Sequence, residues 1–461
     1  MLNRLPHYPG TGVNNDPQGC KTQQWNSTDG RNWVDEEGSI FDGRSARCLA
    51  RCINRGYVTG CHTATFQWHL ISSFYDFLPW SRCGVAVANQ PWSGAYEITS
   101  PTWAIAHTTQ FAVPGWRYAA HGSGTTMLGG GGSMVTRVSP DLSDFSVVIE
   151  KMTTVNSVCA RGNNPDITVA AEKVVLVLKG KLLAAAKAKG LHVWRSNLTS
   201  ANDEGVNPVD DQVFQKLSSQ IPVGADGAVS IEVNPEEMFT ITTIAGGQKG
   251  KHASQAKAKA PFPLPFTQDF DSEAVSAPPA LWYDQMGAWE VQKDPSSAGG
   301  NLMRQVSPVW PACWGYSCSG PLTYFGPQTF NASDNVAVGI DVVLEEHGTW
   351  SLYGKTSSGT ICGVALGTNS TGSVFCGGNK TTATVVFAVG KVHTVQLAFS
   401  PTGVKVALDS QAVGEASSGH VDGMSIVMGL DRYIYASVDN FRIIKAHDLA
   451  TSPTMTDRGA L

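Results

Sequence analysis

The chain has 461 residues, and 33 Lys and Arg against 38 Asp and Glu give a formal net charge of −5 at pH 7. This length suggests about two to four domains, the 42% hydrophobic content excludes wholesale disorder, and a pI near 6.1 argues against a nucleic-acid binder. No apolar run is long enough to span a membrane, and low charge with 48 Gly and 13 Trp is typical of β-rich proteins that handle carbohydrate.

Residues 1–114 mix helical and strand patterns. Residues 44–54 predict a helix, because apolar side chains recur periodically among small and basic ones. Residues 63–71 predict a strand that runs into a helix.

From residue 115 to 245 the pattern changes to short strands. β-Branched runs predict strands at 145–150, 173–178 and 239–244. The Ala/Lys stretch 181–189 predicts a short helix or a loop with a solvated face.

The composition of residues 246–265 predicts a linker, rich in Gly, Lys, Ala and Pro. Residues 266–445 alternate short strands with Gly, Ser and Asn turns, which predicts an all-β sandwich. Residues 446–461 are expected to form a frayed tail.

The cysteine pattern favours disulfides over a zinc site. No pair has zinc-ribbon spacing, and Cys313 with Cys318 and Cys362 with Cys376 predict local disulfides in an oxidising compartment. Five sequons agree with that compartment, at Asn26, Asn197, Asn331, Asn369 and Asn379. The start of the chain has no signal-peptide pattern, so either the protein is not secreted or its true N-terminus is absent.

An acidic turn follows an apolar stretch at residues 32–39. Such a segment is typical of the C-terminal end of a barrel strand, where catalytic side chains gather. Because side chains alternate along a strand, Glu36 and Glu37 cannot both point into one site. An exposed acidic turn stays open as the simpler interpretation.

Residues 91–94 and 101–111 combine tryptophan with polar residues. Trp92 and Trp103 either stack on the apolar face of a sugar or belong to a core. His107 alone is best interpreted as a core or capping histidine.

Two aspartates flank the last sandwich, Asp269 at its start and Asp439 at its end. On adjacent strands they could hold one Ca²⁺ through oxygen ligands. The alternative, two surface aspartates, stays open.

These stretches occur in an order that resembles the galactosylceramidase (galactocerebrosidase) family of retaining glycoside hydrolases, over nearly the whole chain. The resemblance rests on residues 7–11, the pattern Trp33-x-x-Glu36-x-x-Ser39, and residues 83–84, 91–94, 106–111, 159–161, 239–243, 269–270 and 439–441. The segments His-Thr-Thr-Gln-Phe and Pro-Trp-Ser-Gly in this order are the most specific of them.

The resemblance implies a mixed fold. Residues 1–114 would be the last βα units of a TIM (β/α)₈ barrel, 115–245 a β-sandwich, and 266–445 a lectin-like (laminin G/concanavalin-like) β-sandwich after the linker 246–265. An absent N-terminal part of the barrel would account for the missing signal peptide.

The resemblance also implies the catalytic residues. Retaining hydrolysis needs two carboxyl groups about 5–5.5 Å apart, one ionised and one protonated. The nucleophile would be Glu36, with Glu37 as the fallback because the alignment needs a one-residue gap there. The acid/base lies in an Asn-Glu segment of the family, and this chain contains no Asn-Glu dipeptide.

The same resemblance implies a sugar-binding shell. Trp68 matches a sugar-facing tryptophan, Ser39 helps to shape the site, and Arg161 matches an arginine that reaches in from the sandwich. Cys48 and Cys159 match a disulfide that ties barrel to sandwich. The pairing of Cys52, Cys61 and Cys83 stays open.

The resulting expectation is the C-terminal part of a lysosomal or secreted β-galactosidase for galactosyl sphingolipids, presented by a saposin-type lipid-transfer protein. It would need no catalytic cofactor, and this chain alone would be inactive or nearly so. The alternatives are a non-catalytic carbohydrate- or lipid-binding protein, or a related β-glycosidase with another sugar or aglycone.

Overall fold

The computed structural model of the chain describes residues 32–34, 45–65, 70–72, 85–153, 168–199, 212–250, 257–295, 300–310, 320–330, 336–356, 358–418, 421 and 423–445. These residues form mostly β-sheet with a few helices. They divide into a first unit, Met1–Asn89 with Gly94–Ala258, and a second unit, Gln90–Ser93 with Lys259–Leu461. None of the helices in the described ranges is long and apolar enough to cross a membrane.

The helices are α1 (Ser45–Gly60), α2 (Ser100–Thr109) and α3 (Gly180–Lys189), with a 3₁₀ turn at Pro91–Ser93. The strands up to residue 242 are β1 (Asn32–Val34), β2 (His62–Thr65), β3 (Ile71–Ser72), β4 (Ala86–Gln90), β5 (Ala95–Ile98), β6 (Arg117–Tyr118), β7 (Thr126–Met127), β8 (Ser133–Val138), β9 (Phe145–Glu150), β10 (Glu172–Val177), β11 (His192–Asn197), β12 (Gln215–Lys216), β13 (Ala228–Val233) and β14 (Glu237–Thr242).

The later strands are β15 (Phe266–Gln268), β16 (Trp282–Met286), β17 (Trp289–Lys293), β18 (Asn301–Gln305), β19 (Leu322–Phe330), β20 (Val336–Leu344), β21 (Thr349–Thr356), β22 (Ile361–Gly367), β23 (Thr371–Cys376), β24 (Asn379–Thr384), β25 (His393–Ser400), β26 (Gly403–Leu408), β27 (Gln411–Ser417), β28 (Met424–Leu430) and β29 (Ala436–Lys445).

The first unit begins with a β-α-β arrangement. Strands β1 and β2 pair in parallel, and α1 lies between them in the chain. Strands β3 and β4 also pair in parallel. The predicted helix 44–54 is confirmed as α1 and continues to Gly60, where Cys61 adopts a left-handed backbone conformation (φ 54°) that ends it. The prediction of a helix that reaches Ile71 is wrong at that residue, because Ile71 lies in strand β3 and pairs with Ala86 of β4.

The main sheet of the first unit is covered on both faces. Its order is β12-β11-β14-β9-β8-β6, with β7 beside β8. Phe145, Val147 and Ile149 of β9 pack toward α3 and the two-stranded sheet β10-β13. The alternate residue Val148 packs in a second cluster with Ala46 and Ala50 of α1 and with α2. All six residues of β9 are therefore buried. In a sandwich with one face of each sheet in solvent, alternate residues of the strand would be exposed.

The second unit is a two-sheet sandwich, as the sequence predicts. One sheet has the order β17-β18-β29-β20-β25-β26-β27 with β15 beside β29, and the other has the order β16-β19-β28-β21-β22-β23-β24. Alternate residues of facing strands, such as Trp350, Leu352, Val395 and Leu397, fill the core between the sheets.

One predicted disulfide is confirmed. Cys362 and Cys376 lie opposite each other on β22 and β23 and are bonded. Cys313 and Cys318 lie outside the described residues. Cys61 is disulfide-bonded, whereas Cys52 is a buried free thiol.

Candidate active site

The parallel pair β1-β2 carries the positions from which the candidate site is built. Glu36 follows the end of β1 by two residues, and Trp68 follows the end of β2 by three. The carboxyl ends of adjacent parallel strands lie at one edge of a sheet, which is where active-site residues of α/β barrels gather. Both residues, with Glu37, Ser39, Cys159 and Arg161, lie outside the described residues, and Cys48 lies in α1 with its side chain outside them.

Helix α1 presents a buried polar face to the main sheet of the first unit. Arg47 donates through Nε to the carbonyl of Leu198 (2.9 Å) and through Nη2 to the carbonyl of Thr199 (3.1 Å). Its Nε also lies 3.4 Å from Oε2 of Glu236, and both side chains of this ion pair are at most 5% exposed. The pair joins the helix between β1 and β2 to the loop before β14.

Two more residues of α1 extend this attachment. Arg51 donates through Nη1 to the carbonyl of Thr153 (2.8 Å), and Asn54 donates to the carbonyl of Val148 in β9 (2.9 Å). Thr153 in turn donates its backbone N–H and its hydroxyl to Glu236. Thr153 is the last described residue before the segment that contains Arg161, so α1 contacts the chain just before that segment.

Glu150, at the end of β9, is a buried carboxyl close to this basic face. Ser133 donates to its Oε1 and the backbone N–H of Met152 donates to its Oε2 (2.9 Å). Burial raises the pKa of Glu150 to about 7, although these hydrogen bonds and the charge of Arg51 act in the opposite direction. Glu150 therefore gains a proton in the pH range where an exposed glutamate is ionised.

This raised pKa predicts a pH-dependent stability that the variant Glu150→Gln removes. The folded state binds the proton more tightly than the unfolded state, whose pKa is near 4.5, so stability is highest below pH 4.5 and falls until about pH 7. Glutamine reproduces the protonated group, because its oxygen accepts from Met152 and its amide donates to Ser133. We expect the free energy of unfolding of Glu150→Gln to exceed that of the parent at pH 8 by about 3 kcal/mol at most, which raises its melting temperature, and to match it at pH 4.5.

Thermal melts at half-unit pH intervals measure this difference. The matched variant is Glu172→Gln, because Glu172 is a partly exposed glutamate in the same unit whose pKa is lowered by hydrogen bonding to Lys151. An advantage of Glu150→Gln that is equal at pH 4.5 and pH 8 would contradict the assignment.

His107 is a structural residue, as the sequence predicts. It is fully buried, and burial lowers its pKa to about 3. Thr240 donates its hydroxyl proton to the carbonyl of His107, so Nδ1–H of the ring donates to Thr240 Oγ1 (2.8 Å). Ser196 then donates to Nε2 (2.8 Å), which makes His107 a neutral bridge between α2 and two strands.

The two candidate tryptophans differ in burial, since Trp103 is buried and Trp92 is partly buried. Trp92 donates its indole N–H to the carbonyl of Ala260 (2.8 Å) and meets Phe262 edge-on. Trp103 is 5% exposed and stacks on Phe214. The core interpretation is therefore correct for Trp103.

The two aspartates proposed for calcium lie on neighbouring segments, since Asp269 directly follows β15, which pairs with β29, and Asp439 lies within β29. Asp269 accepts from the backbone N–H of Asp271. Burial raises the pKa of Asp439 to about 6, and the charges of Asp341, Asp271 and Asp294 add to the shift. In the described part of the chain no three His, Cys, Asp or Glu side chains are grouped so that they could hold a metal ion.

Sequence reasoning missed the polar face of α1. Residues 47, 51 and 54 recur at the spacing of one helix face, and this spacing was the available signal. It did not reveal burial, because basic residues on a helix usually lie on a solvated face.

The glycosyl hydrolase family 59 model matches residues 6–110, and the model of the family's central domain matches residues 120–248. The two matches cover just over half of the chain. They include the β-α-β arrangement, α2 and every strand of the main sheet of the first unit except β6.

Among curated proteins, galactocerebrosidase of Canis lupus familiaris is 28% identical over 466 residues, covering 95% of this chain and 64% of the dog protein. Galactocerebrosidase of Homo sapiens is 30% identical over 77% of this chain and 49% of the human protein. That of Danio rerio is 32% identical over 75% of this chain and 49% of the fish protein. The chain thus spans less than two thirds of the length of these relatives.

Proposed function

We propose, because this chain belongs to glycosyl hydrolase family 59, that it is part of a galactosylceramidase-like retaining β-galactosidase that acts on galactosyl sphingolipids. The proposal rests on the match to the dog galactocerebrosidase, which covers 95% of this chain. The identity of 30% or more to the human and fish proteins supports it.

We assign the nucleophile to Glu36, with Glu37 as the fallback. A carboxylate there would attack the anomeric carbon and form a glycosyl-enzyme that water then hydrolyses. The parallel pairing of β1 with β2 supports this role, because the carboxyl ends of both strands lie at one edge of the sheet.

We assign sugar binding to Trp68, Arg161 and Ser39. An indole face stacks on the apolar face of a pyranose, and a guanidinium donates to its hydroxyls and keeps nearby carboxylates ionised. The contact of Arg51 with Thr153 supports the assignment of Arg161, because it holds the chain eight residues before Arg161 against α1. A Cys48–Cys159 disulfide would hold the same segment at a second point.

We propose the architecture of the family for this chain. Residues 1–114 belong to a TIM barrel, 115–245 to a β-sandwich, 246–265 to a linker, 266–445 to a lectin-like sandwich and 446–461 to a tail. The parallel pairs β1-β2 and β3-β4 support the barrel assignment, and the two antiparallel sheets of the second unit support the last sandwich.

A structural Ca²⁺ near Asp439 remains part of the proposal. The raised pKa of Asp439 among other carboxylates favours a cation there, since its positive charge would stabilise the ionised form. The proposed ligands are Asp269 and Asp439, and the nearby charges of Asp271 and Asp341 add to the negative potential at Asp439. We assign no catalytic step to the ion.

We also propose a lysosomal or secreted location and presentation of the lipid by a saposin-type transfer protein. The Cys362–Cys376 disulfide supports an oxidising compartment. The names of the matched relatives support a glycolipid substrate.

A second candidate function is carbohydrate binding without catalysis. The observation that favours it is that the chain has no Asn-Glu dipeptide to supply the acid/base carboxyl. Without a proton donor, a poor leaving group such as a ceramide alkoxide departs slowly.

One experiment separates the two functions. The chain is incubated with 2,4-dinitrophenyl β-galactoside, whose leaving group needs no protonation, and the anomer released first is read by NMR. Release of the β-anomer supports a retaining galactosidase, and first release of the α-anomer overturns the proposal. Binding of a galactoside without any release supports the non-catalytic function instead.

A further inference from the structure

The loops at one end of the second-unit sandwich carry an aromatic pair that the proposed catalytic residues do not use. In the sheet, Ala436 at the start of β29 lies opposite both Gln305, at the end of β18, and Leu344, at the end of β20. The loop after β18 and the loop between β28 and β29 therefore leave the sheet at the same end. Trp310 lies on the first loop and Tyr433 on the second.

Trp310 offers a large apolar face to solvent. It is 60% exposed, and its neighbour Val309 is 66% exposed. The ring of Trp310 lies 5.1 Å from the ring of Tyr433 at an interplanar angle of 45°. Contact with Tyr433 orients the indole and leaves most of its surface available to a ligand.

Tyr433 contributes a polar group without a partner. The residue is only 7% exposed, and its hydroxyl makes no hydrogen bond. A phenol can both donate and accept, and a buried hydroxyl is normally satisfied. The hydroxyl is enclosed in this structure, so a ligand hydroxyl supplies the missing partner once the exposed ring of Trp310 moves aside.

Gln305 ties the two loops together. Its Nε2 donates to the carbonyls of Ser307 (2.7 Å) and Ile434 (3.0 Å), and its Oε1 accepts from the backbone N–H of Ser307 (2.6 Å). Gln305 is fully buried. The two loops are thus linked to each other close to Trp310 and Tyr433.

Charged side chains beside the pair are already neutralised. Arg304 forms a two-pronged ion pair with Glu345 (2.7 and 2.6 Å) and stacks on Tyr435 at 4.4 Å. Arg432 pairs with Asp431 (3.3 Å). Balanced ion pairs favour an uncharged ligand over an anionic lipid surface, which recruits unpaired Lys and Arg.

We propose that Trp310 and Tyr433 form a non-catalytic binding site for a neutral pyranose. The C–H face of the sugar stacks on the exposed indole of Trp310, and one sugar hydroxyl hydrogen-bonds to the Tyr433 hydroxyl. The sugar comes either from a free glycan or from the headgroup of a glycolipid. This site does not depend on the proposed hydrolase activity.

The test uses the full chain and two kinds of probe. Methyl β-D-galactopyranoside and methyl β-D-glucopyranoside are titrated by saturation-transfer NMR, and phosphatidylcholine vesicles with or without galactosylceramide are tested by flotation. We expect a dissociation constant of about 1 mM for a soluble sugar, a loss of at least about tenfold in Trp310→Ala, and a weakening of about three- to tenfold in Tyr433→Phe. The control variants Val113→Ala and Tyr353→Phe remove an exposed apolar residue and a phenol hydroxyl elsewhere, and should bind as the parent does.

Each outcome decides the proposal. Loss of soluble-sugar binding in both site variants supports it with a free glycan as the source. Binding only to vesicles that contain the glycolipid, with the same sensitivity to Trp310→Ala and Tyr433→Phe, supports it with a lipid headgroup as the source. Equal binding to plain vesicles, binding that survives both site variants, or no binding to any probe would overturn it.

Discussion

Replacing Glu36 by glutamine is expected to lower the rate of 2,4-dinitrophenyl β-galactoside hydrolysis by about 10³-fold or more. The amide cannot attack the anomeric carbon, so the covalent intermediate does not form. The dinitrophenolate leaves without a proton, and the assay therefore reports the nucleophile separately from the acid/base. Initial rates of dinitrophenolate release measure the effect.

The neighbouring carboxylate supplies the matched control. Glu37→Gln makes the same chemical change one residue away and should retain activity within a few-fold, because adjacent residues of an extended segment point to opposite sides. In Glu36→Ala, azide should restore turnover and yield the α-galactosyl azide, since it enters the space of the missing carboxylate. Loss of activity in Glu37→Gln alone would transfer the role to the fallback residue.

Because the chain spans less than two thirds of its relatives, the comparison is made in two polypeptides. One is the chain itself, and the other is a longer polypeptide that adds the Asn-Glu segment of the family. Equal rates for the parent and Glu36→Gln in the longer polypeptide would reject position 36.

Replacing Arg47 by methionine is expected to lower the free energy of unfolding of the first unit by about 3–5 kcal/mol. The change removes the buried guanidinium of Arg47 from the Glu236 carboxylate and removes its hydrogen bonds to the carbonyls of Leu198 and Thr199. Methionine has a similar length, so the cost reflects lost polar contacts more than a cavity. Urea unfolding followed by tryptophan fluorescence measures it.

An exposed ion pair in the same unit is the control for this prediction. Lys189 pairs with Asp144 (2.6 Å), but its side chain is 43% exposed, so Lys189→Met should cost less than about 1 kcal/mol. Adding Glu236→Gln to Arg47→Met should cost less than the sum of the two single changes, because the ion pair between the two side chains is lost only once. Strict additivity would show that the pair does not interact.

Much of the strand content could be predicted from the sequence. The run 145–150 coincides with β9, and the runs near 173 and 239 shift by one or two residues in β10 and β14. These segments combine β-branched residues with clear turn signals. The sequence pattern ends α1 too early, because the pattern after Asn54 is less periodic, whereas Tyr57 in the last part of the helix stacks on Tyr118.

The buried polar residues were harder to predict. Glu150 ends a strand that looks uniformly apolar, and its burial depends on α1, which lies about a hundred residues earlier in the chain. Arg47 reads as a surface residue until Glu236 is brought beside it. Tyr433 and Trp310 are likewise distant in sequence. Such partners depend on long-range packing, which local patterns do not encode.

The sheet of the first unit that is buried on both sides limits how the family's modules can be separated. Val148, Trp194 and Met238 are sheltered by α1 and α2, which belong to the proposed barrel region. A shortened protein that begins near residue 115 would expose this apolar surface to solvent and would be prone to self-association. Exchanging the proposed barrel region for another would also require new apolar residues on the facing side of the sheet. The two regions are therefore expected to evolve together.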